Sequence, residues 1–246
     1  MALQLYGMSF SPYSEKARWA LDHHGVAYEW HEHVPMLGER ALRRRAGTPG
    51  KTASVPLAID GETVFGDSLA IAQHADQVGS GAPLLADDAV VIEWDARSAT
   101  ALGAGRVHVL KRSLADREAL RDSLPAWIPG FLRGAMTPVA ASGSRFVLRK
   151  YGGEGTDLDA AVAAMRAELA ALRAALGGRA TILPMFSHAD IAMAVVLQMV
   201  SPVDERFIAL GPGRRRAWTE PTLSREFADL VEWRDRLYAE RRAHLS

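Results

Sequence analysis

The sequence contains no cysteine. That excludes disulfide staples, zinc sites with thiolate ligands and any cysteine nucleophile. Neither charge is in surplus: Lys plus Arg and Asp plus Glu both number 29, so the formal net charge is zero. A nucleic-acid binder would carry a basic excess, and nucleic acid is not expected as a partner. Short basic runs, Arg43 to Arg45 and Arg214 to Arg216, read as solvated faces. Long apolar runs are absent as well. The longest, Ile191 to Leu197, is far too short to cross a bilayer. The start, MALQLYGMSF, has neither the basic flank nor the apolar stretch of a signal peptide. A soluble cytoplasmic protein without membrane contact is expected.

A complete phosphate loop is also missing, although GTPGKTASVPLAIDG at residues 47–61 contains its GKT ending. The glycine that such a loop needs at its start is replaced by Arg45. The residues before it, ALRRRA, are no strand, and Pro56 follows too soon for a helix to establish itself. Nucleoside triphosphate chemistry is therefore not expected.

What is present divides into two rhythms. In the first, Leu3 to Tyr6 reads as a strand and Pro12 to His24 as a helix, with Ser11 at its N-cap and Pro12 at its first position. A strand at Ala27 to His33 and a short helix at Leu37 to Arg45 follow. Pro56 to Ile59 and Thr63 to Phe65 flank Asp60-Gly61, a hairpin signal. A helix from Asp67 to Gln77 closes the region. The linker is set at residues 79–86, between a domain at 1–78 and another at 87–246. Beyond the linker the pattern is helical. Leu158, Val162, Met165, Leu169, Leu172 and Leu176 recur at spacings of four and three before Gly177-Gly178. Ile191 to Val200 is apolar on nearly every side, as in a central buried helix. In the segment 124–151, Pro125, Pro129 and Pro138 read as helix breakers.

The stretches SFSPYSEKARWALDHHGVAYE, SVPLAIDG and FGDSLAIAQHAD resemble the N-terminal domain of soluble glutathione transferases, and FSHADIAMAVVL resembles their helical C-terminal domain. SPYSEKAR is most similar to the serine- and cysteine-using classes, theta, zeta, omega and related bacterial forms. The resemblance covers essentially the whole chain. It implies an α/β thioredoxin-like N-terminal domain of order βαβαββα followed by an all-α domain. It further implies a homodimeric detoxification enzyme that uses glutathione as cosubstrate, with no metal or bound cofactor.

The resemblance also assigns a site. Ser11 falls where the family activates the glutathione sulfur, with Ser9, Ser14 and Tyr6 as other hydroxyls within reach of that role. Val55, before a cis Pro56, would pair its backbone with the cysteinyl part of glutathione. Asp67 and Ser68 match the acidic-then-serine motif for the γ-glutamyl end, and Lys51 would reach the glycyl carboxylate. Phe10, Trp94, Arg97 and Arg106 would line the electrophile pocket. Conjugation to a small electrophile is the expected reaction. Isomerisation, dehalogenation or ether cleavage at the same site, or a binding module without catalysis, are its rivals. Disulfide exchange through the protein is excluded by the missing cysteine.

Two further patterns are read as structural. Ser187-His188-Ala189-Asp190 looks like a capped helix start, with Phe186 packing on Ile191, and not like a catalytic triad. His31 and His33 share a strand face but lack a third metal ligand at a recognised spacing, so they read as exposed histidines.

Overall fold

The structure, a computed structural model, describes residues 2–48, 52–125 and 127–242. Lys51 lies outside them. In the first half four strands, β1 (Leu3–Gly7), β2 (Tyr28–Glu32), β3 (Leu57–Asp60) and β4 (Thr63–Phe65), form one sheet in the order β2-β1-β3-β4. β1 and β2 are parallel, joined by the crossover helix α1 (Pro12–His23). β3 runs antiparallel to β1 and returns as β4 through a turn at Gly61, whose φ of 59° suits the expected Asp-Gly pair. Two more helices, α2 (Glu39–Arg45) and α3 (Ser68–Val78), complete the βαβαββα order.

The strand pleat decides what each helix covers. Leu3, Leu5 and Ala58 face Ala17 and Leu21 of α1 and Ile71 and Ala75 of α3. Tyr6 and Leu57 face the other way, against Leu42 of α2. Burying one such leucine contributes about 1.5–3 kcal/mol. At the end of β1 the chain passes so close to its neighbours that a Cβ on Gly7 would meet the Trp30 ring at 2.5 Å and Ser14 Oγ at 2.8 Å.

The second half is helical: α4 (Asp88–Ala115), α5 (Arg117–Asp122), α6 (Gly130–Arg133), α7 (Thr137–Lys150), α8 (Leu158–Leu176), α9 (His188–Ala194), α10 (Pro212–Trp218), α11 (Pro221–Glu226) and α12 (Ala228–Arg241). On α8 the predicted face holds, with Met165, Leu169, Leu172 and Leu176 buried, while Leu158 at its start is exposed. The buried helix predicted at 191–200 is α9, which begins earlier and tightens into a 3-10 stretch at Val195–Met199. Its start is tied by Asp190, whose carboxylate accepts from Ser187 N at 2.9 Å, Ser187 Oγ at 3.0 Å and Ile182 N at 2.8 Å. His188 turns instead to Asp95, so the two residues form no relay.

The linker is anchored, and two other expectations change. Within residues 79–86, Asp76 accepts the amides of Leu84 and Leu85, each at 3.0 Å, and the Leu84 carbonyl accepts from His188 N at 2.9 Å. The segment 124–151 holds α7, because Pro138 sits in its first turn, where no amide hydrogen is needed. His33 and Arg214, read as exposed, are each 9% exposed, covered respectively by Glu39 of α2 and by the loop before α1. Among the described residues no helix is long and apolar enough to cross a membrane, and no cluster of three His, Cys, Asp or Glu side chains could hold a metal ion.

Candidate functional site

Strand register brings the expected site residues to one end of the sheet. Tyr6, near the end of β1, pairs with Leu57, the first residue of β3. Just before Leu57 lies the Val55–Pro56 peptide bond, which is cis. Ala58 pairs with Phe65, the last residue of β4, and Asp67-Ser68 follow. The end of β1, the start of β3 and the end of β4 therefore lie side by side. The N-termini of α1 and α3, which pack on each other, both open there. Two helix starts, that of α1 without any side-chain cap, favour anionic groups.

The hydroxyls at this end are not equivalent. Tyr6 points to the α2 face of the sheet, stacks on His31 at 4.5 Å and donates to Gln4 Oε1 at 2.9 Å. Ser9 is exposed and held by Glu32 through its amide at 3.1 Å and its hydroxyl at 3.4 Å. Ser14 is fully buried, its Oγ accepting the Met8 amide at 3.1 Å. Ser11, 6% exposed at the N-cap of α1, makes no capping bond with its hydroxyl. Among the described residues its Oγ alone of the four is free of a protein partner.

The neighbouring strand is similarly available. Neither the amide nor the carbonyl of Val55 is hydrogen-bonded among the described residues. Asp67 caps α3, its Oδ1 accepting the Ala70 amide at 2.8 Å, and Ser68 is buried directly after it. An open strand segment beside two helix starts fits an extended, peptide-like ligand with acidic ends.

Residues 5–83 match the family model described as glutathione S-transferase, N-terminal domain. The chain has the glutathione transferase fold. Among solved structures, it is similar to the glutathione transferase GSTFuA2 from Phanerochaete chrysosporium, at 17% identity and a TM-score of 0.64, with 100% of both chains covered. It is also similar to the beta-etherase LigF from Sphingobium sp. strain SYK-6, at 17% identity and a TM-score of 0.62, with 98% of this chain and 96% of that one covered. A glutathione S-transferase from Methylobacillus flagellatus KT with glutathione bound gives 16% identity and a TM-score of 0.58 over 98% and 96% of the two chains. No curated protein matches the chain.

The glutathione transferase fold sets its helical half against the site, and the four residues expected at the electrophile pocket separate there. Trp94 is buried in the helical core. Arg97 ties α4 to α8, bonding Glu93 and Glu168 at 3.1 Å each. Phe10 instead directly precedes Ser11, and Arg106 packs on Tyr13, two residues after it. Arg106 lies 4.9 Å from the Tyr13 ring and 3.9 Å from that of Tyr151, and it borders a cleft of about 360 Å³ lined also by Thr100, Gly103, Val107 and Leu148. Burial pushes the Tyr13 phenol up while the Arg106 guanidinium pulls it down; the net shift is upward, so the phenol stays protonated.

Sequence reading missed Tyr13, Lys150, Tyr151 and Arg214. Lys150, at the end of α7, donates to the Glu39 carboxylate at 2.9 Å and to the Ala53 carbonyl at 2.5 Å. This pins the helical half beside the strand that begins at Leu57. The adjacency of Tyr13 to Ser11 was the one available signal, whereas the others depend on how α7 and α10 pack.

Proposed function

We propose that the protein is a glutathione transferase that holds the glutathione sulfur as a thiolate through Ser11 and directs it at a small electrophile seated against the helical half. The observation that carries this reading is the unengaged Ser11 hydroxyl at the N-terminus of α1, beside three hydroxyls that are already bonded. A hydrogen bond to a charged group contributes about 1.5–3 kcal/mol, or about one to two pKa units at 1.36 kcal/mol per unit. The helix start adds up to about 2 kcal/mol where it is partly buried. A thiol that titrates near ~8.5 in water would then be mostly thiolate at neutral pH, with no general base.

The open Val55 backbone would pair with the cysteinyl unit. Ser68 and the first-turn amides of α3 would take the γ-glutamyl carboxylate, with the second oxygen of Asp67 for its ammonium, and Lys51 would take the glycyl carboxylate. Glutathione is a cosubstrate in this scheme. The same thiolate attack serves conjugation, dehalogenation and ether cleavage, which differ only in the group that leaves.

The test is the ultraviolet titration of bound glutathione in the wild type and in Ser11→Ala. The wild type should ionise the thiol at least one unit below its free value, and the variant should restore that value. A wild type that binds glutathione without ionising it would sink the catalytic reading and leave a binding module.

A further inference from the structure

Arg214 of α10 is 9% exposed, and its guanidinium lies 3.5 Å from the centroid of the Phe10 ring. Phe10 immediately precedes Ser11. A guanidinium offers five donors, yet among the described residues none of Arg214's makes a hydrogen bond or ion pair. Two carboxylates, Asp122 and Glu32, attract it only through space, and neither forms a hydrogen bond or ion pair with the guanidinium. Asp122 accepts the amides of Gly213 at 2.8 Å and Arg214 at 3.2 Å. Glu32 accepts from Ser9 and, at 3.0 Å, from the Trp30 indole.

A cation in this position is costly. Burial pushes the Arg214 guanidinium down to about 10 against the weak pull of the two carboxylates. A buried charge without a bonded partner is normally removed or paired. None of the Arg214 nitrogens is among the interior polar atoms that are sealed from solvent and unpartnered, so the fork is not fully closed off. Arg106, at the other side of the Phe10–Tyr13 turn, likewise makes no ion pair among the described residues and stacks on Tyr13. Two guanidiniums without an ion pair among the described residues thus lie on the rings of Phe10 and Tyr13, one before and one after Ser11-Pro12, and both come from the half that would hold the second substrate.

We propose that the electrophile carries an anionic group, a carboxylate or its equivalent, received by the Arg214 fork against the face of Phe10. This rests on the transferase reading for the word electrophile, but the anion site itself does not. A planar carboxylate matches the fork in two parallel bonds, and the ring beneath keeps the guanidinium fixed in orientation. Its charge replaces the missing partner, so binding relieves a cost already present in the free protein.

The experiment uses two matched pairs of probes. Calorimetric titration with para-toluate and its neutral amide, para-toluamide, measures binding without reaction, with and without S-methylglutathione. Conjugation of para-carboxybenzyl chloride and para-carbamoylbenzyl chloride measures turnover, the glutathione sulfur displacing chloride at the benzylic carbon. Toluate should bind about tenfold or more tightly than toluamide, the size of a lost charge-assisted hydrogen bond. Arg214→Gln should erase that ratio, and Arg214→Lys, which keeps the charge and loses the fork, should retain part of it. Thermal melts of both variants show that they are folded, and the lysine variant carries the test where the glutamine variant is not. Equal binding of the two toluene derivatives, or a preference that survives Arg214→Gln, overturns the proposal. If the neutral chloride is conjugated while toluate shows no preference, the anion site alone falls. If neither chloride reacts but the toluate preference exists and vanishes in Arg214→Gln, the anion site stands and the transferase reading falls.

Discussion

Ser11, Ser14 and Tyr6 are three hydroxyls near one strand end, and what separates them is whether the protein already uses the oxygen. Ser14 satisfies the half-buried Met8 amide, and Tyr6 donates to Gln4 on the far face of the sheet. Removing either hydroxyl strands a polar partner or forfeits a bond, which costs about 1 kcal/mol or somewhat more. Tyr6→Phe and Ser14→Ala should therefore lower stability by about that amount in urea unfolding. Both should leave the pKa of bound glutathione where the wild type has it. A rise of a full unit in either variant would move the activating role away from Ser11. Sequence could bring these hydroxyls to one neighbourhood, since Ser11 precedes a helix-opening proline and Tyr6 ends a strand. It could not rank them, because rank depends on partners such as Glu32 and Gln4 that only the folded sheet supplies.

Within single elements, legibility followed the density of local signals. α1, the Asp60–Gly61 hairpin and the Asp67 cap are written in adjacent residues and fell within a residue or two of their predicted bounds. α7 was hidden because Pro138 was read as a breaker, although a proline in the first turn starts a helix. α4 shows a different limit: its His108 is 3% exposed with both ring nitrogens unpartnered among the described residues, which no periodicity reveals. Burial, helped by the Arg112 charge, pushes that imidazole down from 6.5 to about 4. The lowered folded pKa fixes the sign of its pH effect. Its stability contribution is whole above the unfolded value and is lost as the pH falls through the folded one. At about pH 5 the unfolded chain binds a proton that the folded chain refuses, a penalty of about 2 kcal/mol. His108→Leu removes the titrating group, so its stability should fall by about 2 kcal/mol less than the wild type's between about pH 7 and about pH 5. Identical pH profiles in urea unfolding would show that His108 is protonated freely in the fold.

Across the whole molecule, the two halves are held by buried charge as well as by apolar packing. Lys16 of α1 donates to Asp95 at 2.7 Å and to Ser98 Oγ at 3.2 Å, and His188 of α9 meets the same Asp95 oxygen at 3.2 Å. Arg242, just past α12, bonds Glu15 at 2.7 Å and Asp22 at 2.5 Å, which fastens the chain's far end back onto α1. These pairs keep α1, at whose N-cap Ser11 sits, fixed against α4, the helix that carries Arg106. Burial alone would raise the Asp95 carboxyl, but the His188 hydrogen bond and the Lys16 ammonium outweigh it and hold the group at about 2 instead of 3.8. A depressed carboxyl stabilises the fold at every pH above its unfolded value, and that contribution disappears as the pH drops from about 4 to about 2. The shift corresponds to about 2 kcal/mol. Asp95→Asn does more than erase it, since the substitution leaves the Lys16 ammonium buried without its counter-ion. Breaking a buried pair from one side costs about 3–5 kcal/mol, so the variant should lose about that much in urea unfolding at neutral pH. It should also lose the part of the acid transition that belongs to Asp95. Adding Lys16→Met removes the stranded charge and should recover much of the loss. A double variant no more stable than Asp95→Asn would mean that the junction relies on Asp95 through His188 alone.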